Sequence, residues 1–346
     1  MRVGVPREIK DGEFRVALTP AGAASLECEV VVEPGAGEAA GFPDEDYVAL
    51  GAKLGSAWEC ELVVKVKELQ EPEYRRPRRG QTVFGFQHFA PHPRLLDAAL
   101  ASGATFIAFE TVGQLGGRLP ILAPMSAIAG RLAVQAGAWC LQKQNGGSGV
   151  LLPGLEGVPA GKVVILGAGN AGSNALAVAH GMGAEVSVFA RTEKRFPGLR
   201  KRFPGVSFQT GEPVIAGADL VIGAVLTPGA MSPKLLSRDM LRRLRRGSAL
   251  VDVGIDQGGI AETSRPTSHR DPVYVEEGVV HYCVPNMPSA CARTASFALE
   301  AAVLPFVEML LGDTMSIDLL AGVQVRSGKL THEQLARDTR RSCSPL

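Results

Sequence analysis

The chain has 346 residues, 46% of them hydrophobic, and its basic and acidic side chains nearly cancel to a formal charge of +1. That length suits two domains, each large enough for its own core. Near-neutral charge gives no electrostatic case for nucleic acid or an acidic membrane surface as a partner. The cysteines at 28, 60, 140, 283, 291 and 343 form no C-x-x-C pair, and several lie in apolar stretches. Reduced, mostly buried thiols in a cytosolic protein are expected, rather than disulfides or a metal site. The N-terminus lacks a hydrophobic signal core and no stretch resembles a membrane span, so the expected location is cytoplasmic, with no membrane partner.

In chain order, Met1 to Val5 reads as a strand, and Thr19-Pro20 as the N-cap and first turn of a helix through Leu26. Cys28 to Val32 is a second strand, Asp44 to Leu50 a short helix, and Leu62 to Lys67 a buried third strand. Thr82 to Phe86 is a fourth strand, His92 to Ala101 a helix, and Thr105 to Glu110 a fifth strand. Strands alternating with helices predict a parallel sheet covered on both faces. Pro124 to Gln144 is apolar-periodic without strand character and predicts a long helix bridging two domains.

A second βα series starts at Lys162 and continues through Val186 to Phe189, Val206 to Gln209, Leu220 to Val225, Ala249 to Val253 and Val279 to Cys283. Arg293 to Leu311 predicts a second long helix that returns the chain to the first domain, with a polar, helix-capable tail from Thr331 packed on that domain's surface. The basic runs Arg75 to Arg79 and Arg242 to Arg246 read as solvated surface, the second at a helix end where arginines complement the macrodipole.

The most informative stretch is Lys162 to Ala175, K-V-V-I-L-G-A-G-N-A-G-S-N-A. Gly167, Gly169 and Gly172 form G-x-G-x-x-G directly after a strand and at the start of a helix. Gly167 allows the tight turn, Gly169 admits a pyrophosphate close to the backbone, and Gly172 lets helix and strand pack closely. Asn170 and Ala171 lie between them, where the helix N-terminus presents N–H groups and positive dipole to phosphates. A strand before, a helix after and a second strand at Glu185 to Ala190 point to a dinucleotide.

Ligands of open α/β sheets bind beyond the carboxyl ends of the strands. Polar residues expected there are Lys67, His88 in F-G-F-Q-H, Asp256 in V-D-V-G-I-D-Q-G-G, and Arg15 in the loop before the first helix. Two cations suit a carboxylate, and a His–Asp combination suits proton transfer.

At these residues the chain resembles the alanine dehydrogenase family. The motifs are R-V-G-V-P-R-E-I-K, F-R-V-A-L-T-P-A-G, V-K-V-K-E, L-A-P-M-S-A-I-A-G-R, D-L-V-I-G-A-V-L-T-P-G-A, V-D-V-G-I-D-Q-G-G, S-R-P-T-S-H and H-Y-C-V-P-N-M-P, spread in order over residues 1–311. The related transhydrogenase α-type chains match I-D-Q-G-G and S-R-P-T less well. The resemblance implies two Rossmann-like, doubly wound α/β domains, the cofactor domain (126–291) inserted into a discontinuous substrate domain (1–125 and 292–346). It also implies a homohexamer and the reversible oxidative deamination of a small L-amino acid to a 2-keto acid and ammonia. By the same resemblance Arg15 and Lys67 hold the substrate carboxylate and His88 is the acid/base at the keto oxygen. Asp256 is then poised between substrate and nicotinamide, and Ser126, Asn286 and Met287 lie near cofactor or substrate.

Several positions depart from the family pattern. The connections around Leu26 to Glu29 and Ala57 to Glu61 are short, Gln87 stands where leucine is common, Ala127 replaces a usual glutamate, and Cys291-Ala292 replace Val-Pro. One departure bears on the cofactor. The acidic residue expected to bond the ribose 2′-hydroxyl at the second strand end is here Ala190, followed by Arg191 and Thr192. NADP is therefore expected over NAD. The alternatives on the same fold are an NADPH-dependent imine or other keto-acid reductase, a transhydrogenase α-type cofactor-binding subunit, and a silent NADP(H) sensor.

Overall fold

A computed structural model of the chain describes residues 1–113, 117–225 and 232–345. The L-T-P-G-A end of the D-L-V-I-G-A-V-L-T-P-G-A motif lies outside them. The chain forms two compact units, Met1–Met125 with Ser289–Leu346, and Ser126–Pro288.

The first unit opens with β1 (Val3–Val5), α1 (Pro20–Ser25), β2 (Val30–Val32), α2 (Asp44–Ala49), β3 (Lys53–Leu54) and β4 (Leu62–Val64). It continues with β5 (Thr82–Gly85), α3 (Pro93–Ser102) and β6 (Thr105–Ala108). β1, β2 and β4 are runs of buried, mostly β-branched residues, as expected of parallel strands covered on both faces. Thr19 caps α1 by accepting from the Gly22 N–H, with Pro20 at the first helical position.

The chain leaves this unit within α4 (Leu122–Cys140). The second unit adds β7 (Lys162–Leu166), α5 (Asn170–Gly181), β8 (Glu185–Ala190), α6 (Phe196–Arg202), β9 (Ser207–Thr210) and β10 (Leu220–Gly223). It ends with α7 (Arg238–Arg242), β11 (Ala249–Asp252), β12 (Val273–Glu276) and β13 (Val279–Tyr282). The return to the first unit brings α8 (Ala292–Leu311), α9 (Ile317–Gly322), β14 (Val323–Arg326), β15 (Lys329–Leu330) and α10 (Glu333–Thr339).

Each unit holds one sheet. The first runs β15-β14-β6-β5-β4-β1-β2-β3 and the second β12-β13-β11-β10-β7-β8-β9. In both, six parallel strands follow the doubly wound order, with the switch point at β1/β4 in one and β7/β10 in the other. Antiparallel β14 and β15 close one edge of the first sheet, and antiparallel β12 one edge of the second. These additions and the short β3 were not read from sequence, because brief edge strands carry too few residues for a period to show.

Some expected boundaries move. The third predicted strand ends at Val64, because the N–H groups of Val66 and Lys67 turn to the Glu8 carboxylate. The bridging helix stops at Cys140, ahead of a 3-10 turn at Lys143–Asn145. Helix α7 ends at Arg242, before most of the second basic run. Arg242 binds Glu277 and Asp239, Arg245 binds Asp219, and the arginines of the run are exposed, as expected of solvated surface.

Taken with the turn before it, α8 (Met287–Leu311) is long and apolar enough to cross a membrane by length and composition alone, a property that the sequence reading did not see. One such helix is weak evidence, because its Ala295, Leu299, Val303 and Val307 are buried in the unit and its Glu300 accepts hydrogen bonds from the Thr19 N–H and hydroxyl. All six cysteines are free thiols; Cys60, Cys140 and Cys283 are buried and the others half-buried.

Candidate active site

Arg15, Lys67 and His88 all lie beyond the carboxyl ends of strands of the first sheet. Arg15 sits between β1 and α1 and is only 2% exposed. Its guanidinium is clasped by Glu13, Nε to Oε1 at 2.7 Å and Nη2 to Oε2 at 2.6 Å, while Nη1 points at Met125 Sδ, 3.1 Å away. Glu13 also accepts from the Arg15 N–H at 2.9 Å and the Ser289 hydroxyl at 3.4 Å. A planar fork held on one edge in this way has a fixed orientation.

Lys67 and His88 share two neighbours. The Lys67 ammonium lies 5.9 Å from the Phe86 ring centre, and the His88 imidazole stacks parallel to that ring at 5.6 Å. Glu68 stands 3.8 Å from Lys67 Nζ and also pairs with Lys10. Burial works against the Glu68 carboxylate, but Lys67, His88 and Lys10 outweigh it and hold its pKa down at about 2. Glu110 accepts the N–H groups of Gln87 and His88, the second at 2.7 Å, and lies 3.9 Å from His88 Nδ1. These bonds hold His88 in the left-handed region at φ +46°, a conformation that a non-glycine residue keeps only when its surroundings impose it.

In the second unit the glycine loop has the shape that a dinucleotide needs. Gly167 turns at φ +114°, and a β-carbon there would strike the Ala224 carbonyl at the β7/β10 switch point. A β-carbon at Gly172 would strike the Gly167 carbonyl oxygen, whereas at Gly169 nothing stands within 4 Å. Gly169 caps the twelve-residue α5, whose first turn from Asn170 and Ala171 has no side-chain cap, so its N–H groups suit a phosphate acceptor. Half-buried Ala190 ends β8 beside the loop strand, and Arg191 and Thr192 follow it, both exposed. Arg191 makes no ion pair or hydrogen bond among the described residues. Ser126 is half-buried on α4, Asn286 stands at φ +58°, and Met287 is buried.

Asp256 is exposed on the 3-10 turn Val253–Gln257 that follows β11. Two groups that the sequence reading missed fix this turn. Buried Asp252 accepts from the N–H of Gly254 at 3.1 Å, the N–H of Ile260 at 2.7 Å and the Ser264 hydroxyl at 2.6 Å. Lys234 donates to the carbonyls of Gly258, Gly259 and Ala261. Burial raises the Asp252 pKa despite these bonds.

Family models match most of the chain: the alanine dehydrogenase/PNT N-terminal domain over residues 4–129 and the C-terminal domain over residues 133–333. The chain belongs to the alanine dehydrogenase/PNT family. Members of this family work with a nicotinamide cofactor, which the glycine loop and the open first turn of α5 fit. The chain is 48% identical to alanine dehydrogenase of Halomonas elongata, over 97% of its length and 96% of that protein. It is 45% identical to alanine dehydrogenase of Mycolicibacterium smegmatis, over 98% and 96%. A solved structure of L-alanine dehydrogenase matches with a TM-score of 0.95 at 42% identity, covering 98% of this chain and 99% of that one. The structure of transhydrogenase from Sinorhizobium meliloti matches with a TM-score of 0.85 at 25% identity, over 96% and 100%. Both halves of the family are thus represented, with the dehydrogenases the more similar in sequence.

Within the first unit the structure links Lys67 to His88 through Phe86 and Glu68, and it places Asp256 in the second unit. The acids behind the cations, Glu8, Glu13 and Glu110, were not singled out from sequence. No local signal marked them: Lys65 and Lys67 alternate with valines, the pattern of a strand with one wet face, so the burial of Lys65 could not be read there.

Proposed function

We propose that the chain catalyses the reversible, nicotinamide-dependent oxidative deamination of L-alanine or a similarly small L-amino acid to its 2-keto acid and ammonia. The observation that carries this reading is the set Arg15, Lys67 and His88 at one sheet end, each facing a neighbouring carboxylate in Glu13, Glu68 or Glu110. Arg15 and Lys67 take the substrate carboxylate, the first as an oriented fork and the second as a compact charge. His88 holds the proton exchanged with the substrate oxygen as water adds to the imine carbon or leaves it. By family resemblance, Asp256 supplies the acidic group near the nicotinamide. The nicotinamide, when bound, accepts the hydride in deamination and returns it in the reverse direction.

NADP(H) is assigned as the preferred cofactor. Ala190 neither bonds the ribose hydroxyls nor repels a 2′-phosphate, and Arg191 beside it carries a charge with phosphate-matched geometry. By family resemblance, residues 126–291 form the cofactor domain and 1–125 with 292–346 the substrate domain, and the enzyme is a cytoplasmic homohexamer.

The deciding assay is NADPH and NADH oxidation with ammonia across a panel of 2-keto acids and cyclic imines. Fast, ammonia-dependent turnover of pyruvate supports the proposal. Turnover of a cyclic imine alone, or none that depends on ammonia, defeats it.

A further inference from the structure

Behind Lys67 lies a charge cluster almost closed to solvent. The Lys65 side chain is 1% exposed, and those of Glu8 and Glu73 are 4% and 7% exposed. Lys65 Nζ sits 3.2 Å from Glu8 Oε2 and 3.4 Å from Glu73 Oε2, and it donates to the Lys67 carbonyl at 2.9 Å. These three bonds use all the donors of an ammonium. Two carboxylates therefore share one cation. With both ionised, the cluster buries one uncompensated negative charge, which low-dielectric surroundings penalise heavily.

Glu8 is the member of this cluster tied to the substrate cations. Its Oε1 accepts the Val66 N–H at 2.6 Å and the Lys67 N–H at 3.4 Å, so it shapes the strand end that carries Lys67. It also feels the charge of Glu13, the acid that clasps Arg15. The charged groups facing Glu8 are thus Lys65 from the end of β4, Glu73 from the 3-10 turn Glu71–Glu73, and Glu13 from the loop before α1.

We propose that Glu8 is a positioning residue of the carboxylate clamp and that anion binding at Arg15 and Lys67 is coupled to uptake of one proton by Glu8. The proposal rests on the reading of Arg15 and Lys67 as that clamp. A proton from water converts the Glu8 carboxylate to a neutral acid when the anion enters, and it is released when the anion leaves. The total charge around the clamp is thereby kept constant.

Burial, with Glu13 and Glu73 as like charges, lifts the Glu8 pKa to about 7 despite Lys65 and the Val66 N–H. An arriving anion raises it further, since it disfavours the ionised form. Anion affinity is therefore greatest below that pKa and falls as pH rises through it, by at most about tenfold per pH unit for one linked proton.

The test uses the enzyme with cofactor bound and propionate as a competitor of the 2-keto acid. Propionate carries the carboxylate but no keto oxygen for His88. Its inhibition constant would be measured from about pH 6 to about pH 9, across this window. The unmodified enzyme should lose propionate affinity with rising pH. Glu8→Gln should flatten that dependence. Glu73→Gln, which leaves Lys65 to Glu8 alone, should move its midpoint to lower pH. An unchanged pH dependence in Glu8→Gln overturns the proposal, and if that variant does not fold, an unchanged midpoint in Glu73→Gln does so. Propionamide competing as well as propionate would instead overturn the clamp, and this inference with it.

Discussion

Glu110 sets the conformation in which His88 is presented. Its carboxylate accepts the His88 N–H at 2.7 Å, lies 3.9 Å from Nδ1, and holds the residue at φ +46°. A left-handed non-glycine residue costs about 1–2 kcal/mol. Charge-assisted bonds from two successive N–H groups, those of Gln87 and His88, are strong enough to offset that. Glu110→Gln keeps an acceptor for the backbone but removes the charge beside the imidazole. Turnover should fall roughly tenfold to hundredfold, the worth of one charge-assisted contact, while cofactor affinity is kept. A variant with normal turnover would show that the backbone bond alone matters.

His88→Ala and Asp256→Asn should each lower turnover by roughly 10²–10⁴-fold if these groups carry proton transfer. His88 belongs to the first unit and the glycine loop to the second, so His88→Ala should bind NADPH nearly normally in a fluorescence titration. Near-full turnover of His88→Ala would remove it from the mechanism.

The carboxylate clamp predicts that amidated or esterified substrates are very poor. It also predicts that Arg15→Lys is not conservative. Glu13 uses two of the guanidinium nitrogens, and a single ammonium cannot hold Glu13 and reach the substrate together. KM for the 2-keto acid should rise tenfold or more, by the roughly 1.5–3 kcal/mol of a charge-assisted bond. An unchanged KM, or an amino amide turned over as well as the free acid, would count against Arg15.

The proposed preference for NADP(H) places cofactor choice at the end of β8. A charge-assisted contact from Arg191 to a 2′-phosphate corresponds to about a tenfold to hundredfold preference for NADPH. Ala190→Asp combined with Arg191→Val should reverse the preference and leave the keto-acid profile unchanged. Equal use of NADH and NADPH by the unmodified protein, unaffected by Arg191→Ala, would show that this arginine does not read the phosphate.

Gly172→Ala places a methyl group against the Gly167 carbonyl oxygen, a backbone atom that cannot swing aside. Overpacking of this kind costs about 1–3 kcal/mol, and here the strain falls on the phosphate loop. NADPH affinity should drop sharply and the melting temperature modestly. Gly169→Ala is the control, because its β-carbon meets nothing within 4 Å; it should fold normally and lose affinity only through crowding of the bound cofactor.

Much of this protein was legible in its sequence. Apolar runs such as Val163 to Leu166, alternating with helical segments, marked parallel sheets covered on both faces, because strands buried on both faces must be apolar throughout; the doubly wound order was implied by the family resemblance. The spacing of Gly167, Gly169 and Gly172 marked the phosphate loop because only glycine permits those backbone approaches. The strand-end positions of Arg15, Lys67, His88 and Asp256 followed from where open sheets place their ligands. Tertiary structure alone decided what stands behind those residues. Glu8 and Glu110 reach Lys67 and His88 from 59 and 22 residues away, and Lys234 grips a turn more than 20 residues further on. No local period records such distances. They are set by the parallel crossovers that bring β1, β4, β5 and β6 side by side. The burial that raises the Glu8 pKa and the Glu110 bonds that hold His88 exist only once those strands have paired.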